Sequence, residues 1–342
     1  FYLPLLILIT SQLRLFINII KNVDRTLLLV LLALLSWVSI SSLYGTPAQE
    51  NTNLLIETLK HCVLIFLYVL AIAYLSIYSP KTFIFALYLA LFLAVVLAIF
   101  TLIDQFIIND ATITSRLSKL GFGTRIDQYN PVIIGIYFGY LTITSISFMT
   151  TYKHSNRLLA GVFFSISLTL FAITYLTGTR TALVGLAAAF SLYFFFIRKK
   201  MILGVFLFLS VVFILSIGFI FNIKEVENLI LRGGLGSWRP QIWSTSLKEA
   251  MEHLWWGLGM GSETKLEVVR DNITSIQNHS HNFYLQLLNW CGLIGLSIYI
   301  FMLFRAVQLN RFHASSHLAS LRFLTLSYFV IVQLFDVHNL FT

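Results

Sequence analysis

Long apolar runs separated by short polar joints set the rhythm of this chain. The runs fall at about 3–20, 26–43, 59–79, 82–107, 131–150, 158–177, 181–197, 201–221, 283–304 and 323–342. Each comes close to the ~20 residues that a helix needs to cross a hydrocarbon core of ~30 Å. Backbone polar groups in hydrocarbon have no water to bind, so each run is predicted to be a helix. The expected fold is all-α, a polytopic transmembrane helical bundle of about ten spans with one long loop. Residues 1–221 are expected to hold spans one to eight, 222–282 the long loop, and 283–342 the last two spans. Within that loop Ile242, Trp243, Leu247, Ala250, Met251 and Leu254 recur at helical spacing with polar residues between them. This predicts an amphipathic helix over 237–254, lying on the membrane or across the bundle. Pro240 suits its first turn and puts Arg239 at its N-terminus. The run from Trp255 to Gly261 reads as a helix C-cap and a flexible turn, too short and apolar for a phosphate loop.

Composition agrees with lipid as the solvent. Only 11% of the 342 residues are charged against 58% hydrophobic, whereas a soluble domain carries about 25% charged residues. Cys62 and Cys291 both fall inside apolar runs and read as inert packing thiols. The chain opens on Phe1 and stops at Thr342 within an apolar run, so a longer natural chain is expected. The formal charge of +9 would suggest nucleic acid in a soluble protein. Here it reflects topology, and no nucleic-acid partner is expected. Alternate loops hold Lys21, Arg25, Lys81, Lys153, Arg157, Arg198, Lys199, Lys200, Arg305, Arg311 and Arg322, which places that side in the cytoplasm. The other loops, 44–58, 109–130, 178–180 and 222–282, then face outward. Arg116, Lys119, Arg125 and Arg180 sit in short outward loops against this rule. Either an anionic ligand on that face or pairing with lipid phosphates and local acids accounts for them.

Four stretches could carry chemistry. Thr177-Gly178-Thr179-Arg180-Thr181 joins two spans, and the second starts with its free N–H groups and Arg180 facing outward. That is an anion site by construction, or else a capped turn with Arg180 reaching to headgroups. Gly178 allows a tight turn and Thr179 can cap the helix. Arg239 stands at a second helix N-terminus, where it either meets an anion or is solvated. Asn278-His279-Ser280-His281-Asn282-Phe283 opens a span. An imidazole, with an ordinary pKa of about 6.5, suits general-base work; the alternative is a polar helix cap. No Cys cluster or HExxH run accompanies the histidines, so neither a metal nor another cofactor is expected. Gly121 to Pro131 includes Arg125, which either joins an anion site or pairs with Asp127.

Gly178-Thr179-Arg180-Thr181-Ala182, Arg239-Pro240-Gln241-Ile242-Trp243, Trp256-Gly257-Leu258-Gly259, His279 to Gln286 and Gly292-Leu293-Ile294-Gly295 occur in that order. The ordered set, with a long outer loop before the His-Asn helix, resembles the O-antigen ligase and polymerase superfamily of bacterial inner membranes over roughly 115–305. The resemblance implies about twelve spans and a multi-pass inner-membrane protein with its active site facing the periplasm. It implies an inverting, metal-independent glycosyltransferase. The donor would be a glycan on undecaprenyl diphosphate and the acceptor the lipid A-core of lipopolysaccharide. By the same resemblance Arg180 and Arg239, and less securely Arg125, would hold the diphosphate. His281 would be the base, with Asn282 positioning it or capping the helix and His279 in support. Arginine grips phosphate with two parallel hydrogen bonds, which lysine cannot do. The single dominant outer loop and the His-x-His-Asn form favour the ligase branch. The alternatives are a polymerase joining lipid-linked repeats, a protein-glycosylating member, and, from another class, a lipid-linked glycan flippase. The last would want charges near the bilayer midplane, and only Arg14 and Asp104 are candidates.

Overall fold

The computed structural model describes residues 20, 22–44, 48–110, 117, 131–197, 239–260, 266–270, 273–277, 279–312 and 317–334. The run read at 3–20, apart from Ile20, and the run at 201–221 lie outside them. The described helices are α1 (Arg25–Ser41), α2 (Ala48–Tyr78), α3 (Pro80–Ile103), α4 (Pro131–Tyr152), α5 (Arg157–Leu176), α6 (Arg180–Leu192), α7 (Arg239–Glu252), α8 (Phe283–Phe312) and α9 (His317–Gln333). Short π-helical turns extend α3 over Asp104–Ile108 and α6 over Tyr193–Ile197. Among the described residues, five helices are long and apolar enough to cross a membrane: Leu54–Tyr78, Pro80–Ile108, Val132–Tyr152, Arg157–Leu176 and Phe283–Leu309. Three shorter apolar helices accompany them, Arg25–Ser41, Arg180–Phe196 and Ser320–Gln333. The fold is a helical membrane bundle.

Two elements differ from the reading by pattern. Helix α2 begins at Ala48, eleven residues before its apolar run, and Glu57 and Lys60 pair one turn apart on its exposed face. The long loop also contains a small antiparallel hairpin, β1 (Leu266–Arg270) and β2 (Ile273–Gln277), with Leu266 opposite Gln277 and Arg270 opposite Ile273.

The chain divides into two compact units. The first comprises residues 1–86, 241–308 and 339–342. Its core joins α1 to α8 through Leu31, Leu34, Leu35 and Val38 with Phe283, Leu287 and Cys291. Asp24 caps α1 by accepting from Leu27 N at 2.8 Å and also takes Arg305 at 2.6 Å. That guanidinium, with the cap, holds the Asp24 carboxyl below its ordinary range. Toward the other end of α1, the Trp37 indole donates to the Cys291 carbonyl at 2.8 Å. The two ties lie 13 residues apart on α1 and 14 on α8, each about 20 Å of helix, so the helices run antiparallel.

Helix α8 is broken. Gly292 has φ +64° and ψ −170°, and the break leaves backbone groups that hydrocarbon would not tolerate. The segment after α7 receives them. Leu258 N donates to Asn289 O at 2.6 Å and Gly259 N to Trp290 O at 3.0 Å, while Leu293 N donates to Leu254 O at 2.7 Å. Trp255 to Met260 is therefore a backbone clamp on α8, not the flexible turn its glycines suggested. Gly257 and Gly259, with φ +77° and +95°, supply the geometry that brings it close. A Cβ on Gly292 would overlap the Trp255 carbonyl and reach Trp256 N at 2.6 Å. Gly292→Ala is expected to cost at least about 1 kcal/mol from the left-handed backbone alone and more from the overlap. A lowered Tm of the purified protein in detergent would register it.

The second unit comprises residues 87–240 and 309–338. Small residues let its helices approach. Gly185 of α6 faces Val332 and Tyr328 of α9, and the Tyr328 hydroxyl passes Gly139 of α4 to donate to the Ile136 carbonyl at 2.9 Å. Ser145 of α4 donates to the Phe163 carbonyl of α5 at 2.7 Å. Thr142, Ser147, Thr174 and Ser191 turn their hydroxyls back onto their own helices, so these polar groups are satisfied within apolar surroundings.

Candidate functional site

The candidate residues fall into two groups, one in each unit. In the second unit α5 ends at Leu176 and α6 starts at Arg180. Gly178 reverses the chain with φ +63°. Thr179 occupies the N-cap position but makes no side-chain cap; its hydroxyl lies 3.0 Å from that of Thr177 instead. Both threonines are buried and pack on Gly135 of α4, where a Cβ would come within 2.6 Å of either hydroxyl. The turn is thus held from the side, and Arg180 leaves it in a fixed place. Leu117, itself buried, donates its N–H to the Leu176 carbonyl at 3.0 Å, so the loop before α4 touches the same turn. Arg125, Arg116 and Lys119 of that loop lie outside the described residues.

Arg180 is half-buried. Its burial, and after that the positive charge of Arg239, push its pKa below the ordinary value. Arg239 is the first residue of α7, as expected. The charge of Arg239, 59 positions away in sequence, therefore reaches Arg180. Among the described residues no carboxylate forms an ion pair with Arg180. Like charges gathered at the starts of two helices, one of them partly desolvated, are unfavourable by themselves. An anion bridging them reverses the sign.

In the first unit the His-Asn stretch opens α8. Asn282 caps it, its Oδ1 accepting from Tyr284 N at 3.0 Å and Leu285 N at 3.1 Å. Of the two roles open to Asn282, capping is the one its geometry displays. His281 has φ +50°, a left-handed conformation in which non-glycine residues are uncommon and which costs of order 1 kcal/mol or more. A clamp on its neighbours holds it there. The Ser280 N–H donates to Gln286 Oε1 at 2.8 Å, and the Ser280 hydroxyl to the Asn282 carbonyl at 2.7 Å. Ser280 and Gln286 are fully buried, so the clamp is rigid, whereas His281 is partly exposed. The His279 ring lies 4.1 Å from that of His281, centroid to centroid. Pattern reading missed the part played by Gln286. The available signal was a glutamine one turn into an otherwise apolar run, directly after the cap.

The profile of the O-antigen ligase family matches residues 165–300. That stretch runs from α5 to the far side of the α8 break, and includes Arg180, Arg239, the His279–Asn282 opening and Gly292. The chain is also similar to an O-antigen ligase of Pseudomonas aeruginosa, 29% identical over 276 residues, which make up 80% of this chain and 62% of that protein. The chain thus matches under two thirds of the length of this relative.

Proposed function

We propose that this protein is an O-antigen ligase, transferring a glycan from undecaprenyl diphosphate to the lipid A-core of lipopolysaccharide at the periplasmic face of the inner membrane. The match of residues 165–300 to the O-antigen ligase family and the likeness to the Pseudomonas aeruginosa O-antigen ligase support the reaction class. The observation that carries the reading is half-buried Arg180 at the start of α6 with Arg239 at the start of α7, because a diphosphate is the anion that guanidiniums at helix N-termini fit. In the proposed step an acceptor hydroxyl oxygen attacks the anomeric carbon and the bond from that carbon to the diphosphate oxygen breaks. The diphosphate leaves with the bonding electrons. Its charge grows along the reaction, so Arg180 and Arg239 bind the transition state more strongly than the ground state. His281 takes the proton of the attacking hydroxyl. One displacement inverts the anomeric configuration. Arg125 is proposed as a third cation on the diphosphate and His279 as a neighbour that orients His281.

The reading needs no metal, so transfer is expected to survive EDTA at full rate. Activity lost to the chelator and restored by zinc would overturn that part of it. The deciding experiment supplies purified protein with lipid-linked glycan and, separately, lipid A-core or a second lipid-linked repeat. Mass gained by lipid A-core is the expected result. Mass gained only by the second repeat would make the protein a polymerase.

A further inference from the structure

Helix α7 has two apolar faces, and among the described residues one of them is covered and the other exposed. Ile242, Ser246 and Ala250 are buried, and Ser246 accepts from Asn289 of α8 at 2.8 Å. On the uncovered side, Leu247 is 46% exposed, Met251 60%, Trp255 61% and Trp256 59%. The first three of these are spaced four residues apart and form one stripe. Lys248, Glu252 and His253 are exposed beside it. The stripe is continuous with the outward-facing apolar band of α1. The Trp256 ring lies tilted against that of Trp37, 5.3 Å between centroids, and the Trp256 carbonyl accepts from the Tyr44 hydroxyl at 2.7 Å, while Ile40, Leu43 and Tyr44 are themselves exposed.

We infer that this stripe of α7 lies in the lipid interface, with α7 in the plane of the bilayer and Trp255 and Trp256 at the boundary of headgroups and acyl chains. Four large apolar side chains in a row do not suit water. Exposed Lys248, Glu252 and His253 do not suit hydrocarbon. Only the interface accommodates both, and Trp and Tyr are the residues that concentrate there.

The backbone clamp fixes the end of α7 against α8, where a Cβ on Gly257 would meet Gly292 N at 2.6 Å.

Spin labels test the anchoring without any activity. Single cysteines replace Met251, His253 and Ile300 in turn, the two buried native thiols staying in place, and the labelled protein is reconstituted in nanodiscs of phosphatidylethanolamine and phosphatidylglycerol. Ile300 is an exposed residue beyond the α8 break. The expected order is oxygen-accessible and deep at 300, oxygen-accessible and shallow at 251, and accessible to a water-soluble nickel chelate at 253. Equal chelate access at 251 and 253 would overturn the inference. So would dipolar broadening between labels at 251 of two molecules, since a second copy would then cover the stripe.

Discussion

Arg180→Ala and Arg239→Ala are each expected to reduce glycan transfer by roughly 100-fold or more, about 3 kcal/mol of lost transition-state stabilisation, with membrane insertion unchanged. The expectation follows from where charge develops. The leaving diphosphate gains negative charge only as the anomeric bond breaks, so the loss appears in kcat as well as in KM. The double variant should fall little further than either single variant, because both guanidiniums serve one leaving group and their effects do not add. Arg180→Lys is expected to recover part of the rate. Lysine restores the charge and not the two-pronged grip. Thermal stability separates this from a structural role. Burial and the Arg239 charge both weigh on the charged form of Arg180, so its removal relieves repulsion and should leave Tm unchanged or raised. Purified variants assayed for transfer and for Tm give both numbers. Normal surface glycan in cells carrying either alanine variant would remove the diphosphate role.

His281→Ala is expected to lower turnover by between about 100-fold and 10,000-fold, the range for loss of a general base, while donor binding persists. Binding persists because the donor diphosphate is assigned to the arginines and the proton to the imidazole. A fluorescent lipid-linked donor measures the first, and single-turnover transfer the second. Donor affinity falling in step with turnover would make His281 a binding residue. The backbone at this position adds a control. With φ +50°, His281→Asn keeps a residue tolerant of the left-handed region, so its loss of turnover cannot be assigned to a collapsed loop.

Much of the bundle was legible because its causes are local. Apolar run length relates directly to bilayer thickness, and the runs at 131–150 and 158–177 became Pro131–Tyr152 and Arg157–Leu176 with ends shifted by no more than two residues. Helix α7 was equally readable, from the spacing of Ile242, Leu247 and Ala250 and from Pro240 near its start. The site was legible only in parts. Arg180 and Arg239 each announced themselves at a helix N-terminus. The cap at Asn282 followed from its place before Phe283. What the pattern could not supply was the company each residue keeps. Thr179 had every local feature of a capping residue, yet Thr177 and Gly135 took its hydroxyl into a buried contact.

By itself, then, the chain's pattern determined a helical membrane bundle, the amphipathic helix of the long loop, and the residue types that stand at the helix ends. Those outcomes depend on periodicity and length, which are properties of neighbours in sequence. Tertiary structure alone decided that Arg239 weighs on Arg180, that Gln286 fastens the backbone beside His281, and that α8 breaks at Gly292 against Leu254 to Gly259. Each of these pairs a group with a partner it cannot recognise from local sequence. A broken helix in an apolar run reads as continuous until the segment that satisfies its freed N–H and C=O groups, more than thirty residues earlier, is folded against it.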